Sequence, residues 1–218
     1  MDGLRRGLAL LLVVTLVCPS SALVRRGFAQ DTSGAAQGQT FGKEQLEQLV
    51  APIALYPDSL VAQILMAATY PIEVVEAARW SKKNPKVTGA ALEDAMQKQS
   101  WDASVKSLTA FPQVLAMMDE KLDWTTDLGN AFLAQQADVM DAIQALRARA
   151  QKEGNLTSNE QQTVVVEQQP SGSQPQTIII EPANPQVVYV PAYTPAVYGA
   201  WPYPAYPPYP YYPPGYAL

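Results

Sequence analysis

Three dipeptides dictate most of what the middle of this chain can become: Tyr56-Pro57, Tyr70-Pro71 and Phe111-Pro112. Each stands directly ahead of an apolar helical stretch. Proline is favoured at the first helical position, where its fixed φ suits the helix and its missing N–H is not needed. The residue before it is driven out of the helical region. Each pair therefore ends one helix and begins the next. The expected product over residues 43–154 is a compact domain of short helices with sharp corners, not a long-helix bundle, and the three aromatics are expected to plug those corners.

The apolar spacing between the corners agrees. Leu46, Leu49, Val50 and Ile53 give one buried stripe, and Leu60, Val61, Ile64, Leu65 and Ala68 give a second at helical period. Val74, Val75 and Ala78 continue in a third helix that ends near Asn84-Pro85. Thr88 is placed to cap a short helix holding Leu92 and Met96. Val105 and Leu108 mark another, followed by Val114–Lys121, Trp124–Gln135 with Asp123 as its cap, and Asp138–Lys152. In the last, Arg147, Arg149 and Lys152 suit the C-terminal end and Gly154 stops the helix.

After Gly154 the composition changes. Thr163–Val166, Thr177–Ile180 and Val187–Val190 are β-branched runs separated by turn-forming segments, which predicts a small antiparallel element over residues 160–191. A lone hairpin is marginal in water, so it is expected to pack on the helices. Beyond it the chain carries no charge after Glu181, and nine of its eleven tyrosines fall between Tyr189 and Leu218. With nine prolines in the same stretch, residues 192–218 are expected to be disordered or polyproline-II-like. The fold class is thus mainly α, with a small β element and an extended Pro/Tyr-rich tail.

The other end has a different logic. Arg5 and Arg6 precede an apolar run from Leu8 to Val17, and Ser20-Ser21-Ala22 supplies the small residues a signal peptidase accepts. Residues 1–22 therefore read as a signal peptide, with cleavage as late as Ala29 as the other possibility and residues 30–42 as a flexible lead-in. The apolar run is too short to span a bilayer, and no transmembrane span is expected in the processed chain. The protein is expected to be exported: periplasmic, envelope-associated or secreted. Cys18, the one cysteine, lies inside the signal, so the processed chain has no disulfide. From Gln30 onward 11 basic residues face 19 acidic ones, a net charge of −8. Such a chain offers nothing to a phosphate backbone, and nucleic acid is not an expected partner.

Chemistry-bearing groups are few. There is no histidine, which removes the commonest general base and the usual transition-metal ligand. No phosphate-binding loop and no nucleophile motif is present. No catalytic residue, cofactor or metal is expected. Asp119, Asp123 and Asp127 would line one helix face, a pattern read as solvated and capping rather than as a metal site. A glycosidase would need two carboxylates across a groove. Asp58, Glu73 and Glu76, with Tyr56 and Tyr70, are the residues available for such a cleft. Trp80, Trp101 and Trp124 read as core residues with an exposed edge, sugar stacking being the sharper alternative. Asn155-Leu156-Thr157 matches a glycosylation acceptor.

Three stretches carry a family resemblance: LVAPIALYPDSLVAQILMAATYPIEVVEAARW (49–80), WTTDLGNAFLAQQADVMDAIQALRARAQKEGNL (124–156) and IIIEPANPQVVYVPAYTPAVYG (178–199). They resemble a bacterial family catalogued as domain of unknown function 3300, over about residues 43–200. The resemblance implies an exported or envelope protein and carries no activity, ligand or catalytic residue.

The residues together lead to an exported, non-catalytic envelope protein that acts as a binding or scaffold module. Its aromatic tail would contact another envelope protein or a cell-wall polymer through Tyr189, Tyr193, Tyr198, Trp201, Tyr203, Tyr206, Tyr209, Tyr211, Tyr212 and Tyr216. The alternatives are a carboxylate-dependent hydrolase acting on cell-wall glycan, and a subunit of a larger envelope assembly.

Overall fold

Each aromatic–proline pair does turn the chain. In a computed structural model, which describes residues 40–167, 176–184, 190 and 194–209, eight helices follow one another with short corners. They are α1 (Lys43–Val50), α2 (Asp58–Ala68), α3 (Pro71–Lys83), α4 (Ala90–Gln97), α5 (Ala103–Leu108), α6 (Pro112–Glu120), α7 (Leu122–Ala134) and α8 (Gln136–Lys152). Pro71 and Pro112 occupy the first helical position, with Tyr70 and Phe111 as the non-helical residues before them. Pro57 sits one place earlier, just outside α2. Tyr56 is 1% exposed and fills its corner as expected, but Tyr70 is 40% exposed and plugs nothing.

Two boundaries differ from the sequence reading. Gly89, not Thr88, is the residue that opens α4. Lys121 opens α7, which places Asp123 inside the first turn instead of at the cap. The negative charge is still well placed there, because the first turn of a helix presents unpaired N–H groups.

The core is continuous. Helix α1 packs on α8, α3 on α6, and α2 on both α5 and α7. Trp101 and Trp124 are buried in it, and Trp124 Nε1 donates to Leu49 O at 2.9 Å, tying α7 to α1. The closest approach is at Gly129. A Cβ on this residue would stand 2.2 Å from Ala68 O, so α7 and the end of α2 meet backbone to backbone. Gln135, the one residue between α7 and α8, accepts from Phe41 N at 2.7 Å and donates to Phe41 O at 3.1 Å, which clamps the segment entering α1.

Strands β1 (Gln162–Glu167) and β2 (Thr177–Pro182) pair antiparallel, with Val164 opposite Ile180 and Val166 opposite Ile178. Ile178 and Ile180 are buried against α2 and α8, whereas Val165 and Val166 of β1 face solvent. Gln144 on α8 reads β2 as a further strand would: Ile178 N donates to Gln144 Oε1 at 2.8 Å, and Gln144 Nε2 donates to Ile178 O at 3.2 Å. The expected signal segment, most of the lead-in, most of the third β-branched run, and Tyr189, Tyr193, Tyr211, Tyr212 and Tyr216 lie outside the described residues. Among the described residues no single helix is long and apolar enough to cross a membrane.

Candidate functional site

Residues 194–209 do not project as a free arm; they fold back over α1 and α8. The anchor is Tyr198, which ends a single 3-10 turn (Pro195–Tyr198) and is fully buried. Its hydroxyl donates to Ala51 O at 2.6 Å, satisfying a carbonyl at the end of α1. Asn155 Nδ2 donates to Val197 O at 3.0 Å, so the acceptor motif read from the sequence serves as a tether. Gly199 then turns the chain at φ 67°, where a side chain would be strained and its Cβ would collide with Glu153 at 2.7 Å. Tyr198, expected as a contact for a partner, is therefore a core residue.

Beyond Gly199 the aromatic residues pack over an ion pair that the sequence reading missed. Glu47 on α1 is 1% exposed and accepts from Arg149 Nη2 at 2.8 Å. Trp201 lies over the Arg149 guanidinium, 5.3 Å from ring to cation, an arrangement stabilised by the ring quadrupole. Tyr203 OH donates to Glu47 Oε1 at 3.3 Å. Trp201 is tilted against Tyr198 and edge-on to Tyr203 at centroid distances of 6.1 and 6.0 Å, both within the range of favourable aromatic pairs. Trp201 Nε1 donates to Tyr206 O at 2.8 Å and Gln48 Nε2 donates to Pro207 O at 2.6 Å. The described tail ends at Tyr209 beside the start of α7, where burial and the nearby Asp127 and Asp123 push its hydroxyl pKa upward. Burial, with Asp123 adding to it, likewise raises the Asp127 carboxyl. The outward-facing product is a short uncharged ridge: Tyr206 exposed, Trp201, Tyr203 and Tyr209 half-buried.

The carboxylates proposed for a cleft hold other positions. Asp58 pairs with Arg147 Nη1 at 2.5 Å. Arg147, 2% exposed, also donates to Ala54 O at 2.7 Å, Tyr56 O at 3.2 Å and Ile178 O at 2.8 Å, joining the α1–α2 corner to β2. Burial lowers its pKa, and Asp58 opposes that shift. Glu73 and Glu76 do come together, but on the entry to α5. Asp102 N donates to Glu73 Oε2 at 2.6 Å and Trp101 Nε1 donates to Glu76 Oε2 at 2.9 Å. Tyr56 is buried in its corner and Tyr70 lies exposed on another. The clefts beside Phe41 and Leu46, beneath Trp80, and between Met96 and Lys106 contain none of these three carboxylates. Among the described residues no cluster of acidic, histidine or cysteine side chains is arranged to hold a metal.

Arg147 and Arg149 were read as charges favouring a helix end. One signal pointed further: Arg147 follows Ile143 at i+4 and so continues the apolar stripe of α8. Glu47 similarly precedes Ala51 by four within a buried stretch. Gln48 gives no such signal, because its partner is a tail carbonyl 159 residues away.

A short-helix domain with a docked hairpin and an aromatic tail strapped over the Glu47–Arg149 ion pair defines a mainly α architecture with an uncharged aromatic ridge. No solved structure matches the chain. The family model described as "Protein of unknown function (DUF3300)" matches residues 42–218, and the chain belongs to that family. It is 45% identical over 205 residues to the uncharacterized protein YacH of Escherichia coli (strain K12). The aligned region covers 82% of this chain and 33% of YacH, so the chain spans about a third of that relative.

Proposed function

We propose that this protein is an exported, non-catalytic binding module of the cell envelope, with the strapped aromatic ridge as its contact surface for an envelope protein or a cell-wall polymer. The supporting observation is the strap itself. An uncharged Tyr/Pro segment is held on α1 and α8 by Tyr198, Asn155, Gln48 and the Arg149–Trp201 stack, with Tyr206 left outermost. Rigid aromatics make contact at low entropic cost, since little conformational freedom remains to be lost.

The carboxylates available for hydrolysis are committed to Arg147, Asp102 N and Trp101 Nε1, which favours a structural role for them. Export rests on the pattern of residues 5–22. N-terminal sequencing of the chain recovered from a periplasmic extract is expected to begin at Leu23 or Gln30, and an unprocessed cytoplasmic chain would refute export.

Co-sedimentation with purified cell-wall sacculi tests the contact surface. The parent chain is expected to pellet and Tyr206→Ala to pellet at least about threefold less. A parent chain that stays in the supernatant removes the wall polymer as partner. Equal pelleting by the variant removes the ridge.

A further inference from the structure

Residues 194–209 lie on the helical domain as a ligand lies on a receptor. Their own backbone bonds only close turns: Val197 N to Thr194 O, Gly199 N to Ala196 O and Tyr206 N to Tyr203 O. The segment meets α1, α8 and Asn155 through side chains and carbonyl groups. Of its sixteen residues Tyr198 alone is buried.

The groove beneath is suited to reading such a segment. A proline-rich stretch has few N–H groups, so recognition depends on donating to its carbonyls. Two side-chain amides do this: Asn155 Nδ2 donates to Val197 O at 3.0 Å and Gln48 Nε2 to Pro207 O at 2.6 Å. Tyrosine hydroxyls need acceptors. Ala51 O receives Tyr198 at 2.6 Å and Glu47 Oε1 receives Tyr203 at 3.3 Å. The Arg149 guanidinium lies 5.3 Å from the Trp201 ring. Gly199, at φ 67°, directs the chain from the buried tyrosine to the stacked tryptophan. The groove therefore reads a particular order of residues, Tyr-Gly-x-Trp-x-Tyr over 198–203, and not merely an aromatic composition.

Every partner on the domain lies between Glu47 and Asn155, so nothing in the groove requires the segment to belong to the same chain. With the segment gone, the floor keeps its Arg149–Glu47 bond of 2.8 Å, and its amides and carbonyl are left to water. Release strands no buried charge. Eleven residues, 183–193, join β2 to the segment, a contour of at most about 40 Å.

We infer that the α1–α8 groove is a receptor for Tyr-Gly-x-Trp-x-Tyr segments, filled in cis by the chain's own, and that in trans it takes the same segment of a second copy. Reciprocal exchange closes a two-fold dimer that keeps the contacts of the monomer. The chain's own segment competes at an effective concentration in the millimolar range, so occupancy in trans belongs to molecules whose own segment is displaced. This groove is the inner face of the strap and the proposed wall contact is its outer ridge, so the two readings fail separately.

Fluorescence anisotropy of a labelled peptide of residues 194–209, titrated with the full chain, tests it. Gly199→Ala strains only the chain's own strap. Tyr198→Ala, which deletes the anchor, is the second vacated chain. Circular dichroism checks that each keeps the parent's helices, and hydrogen exchange that residues 194–209 are freed. Each is expected to bind one peptide saturably, at least about tenfold more tightly than the parent does. A peptide carrying Tyr198→Ala should bind at least about tenfold more weakly. The full-length double variant Gln48→Ala, Asn155→Ala has an intact strap and a weakened groove, and should displace the peptide from Gly199→Ala chains. The inference is overturned if neither vacated chain binds the peptide, or if a peptide of residues 209–216 binds equally well. Failure of the double variant to displace the peptide removes the second copy as occupant.

Discussion

Arg147 concentrates more structural duty than any other side chain described. It is buried, pairs with Asp58 and serves three backbone carbonyls. Replacing it by alanine leaves three carbonyl acceptors unpaired, Ala54 O, Tyr56 O and Ile178 O, and is expected to cost about 2–4 kcal/mol in urea unfolding, the partly exposed Asp58 carboxylate being left to water. Arg147→Lys should recover only part of that loss, because an ammonium cannot reproduce the guanidinium fork. Asp102 supplies a smaller, pH-dependent contribution. Its carboxylate accepts from Ser104 N at 2.8 Å at the start of α5, and bonds from the Ser104 side chain and backbone hold its pKa below the usual aspartate value. A depressed native pKa means the stabilisation is complete above the unfolded-state value and is lost as pH falls through the native one. Asp102→Ala should therefore cost about 0.5–1 kcal/mol at neutral pH, with the gap to the parent closing as the pH is lowered through the acidic aspartate range. Charged residues such as these are the least legible in sequence. Arg147 shows the stripe period that implies burial, but nothing local names the carbonyls it will meet.

Among the elements, the aromatic–proline corners were readable because both of their effects are local: φ is fixed at one residue and the helical region denied to its neighbour. Boundaries without such a device slipped by a residue or two, as at Gly89 and Lys121. The α2–α7 crossing was not readable, since Gly129 lies within an ordinary helical pattern and owes its meaning to Ala68, far away in sequence. Gly129→Ala offers a sharp check on that crossing. Glycine to alanine raises intrinsic helix propensity, yet here the added methyl would meet a backbone carbonyl. A loss of about 2–3 kcal/mol in thermal or urea unfolding is expected from the forced separation, whereas a gain would mean that the two helices are not in contact.

At the scale of the whole molecule, proline and tyrosine density argued for a disordered or extended tail, whereas the described residues 194–209 make a 3-10 turn at Pro195–Tyr198 and fold back, a course the composition said nothing about. The internal bonds of residues 194–209 only close short turns, such as Val197 N to Thr194 O and Tyr206 N to Tyr203 O, so distant groups decide the course of the segment: Ala51, Asn155, Gln48 and Arg149. Tyr198→Phe, losing one buried hydroxyl bond, should cost about 1 kcal/mol. Tyr198→Ala should cost about 3–5 kcal/mol and release the strap, seen as faster backbone hydrogen exchange across residues 194–209 while α3 and α6 stay protected. If that segment already exchanges freely in the parent, the strapped arrangement is wrong.

The burial of Tyr198 also sets a timetable. A chain made from its N-terminus completes α8 at Lys152, yet the side chain that seals the space between α1 and α8 arrives only after Glu153 through Val197 have followed. At about 5–20 residues per second that is a wait of several seconds. During it the nascent chain holds an open seat beside Ala51, so final closure is a late event in the protein's synthesis rather than one that proceeds helix by helix.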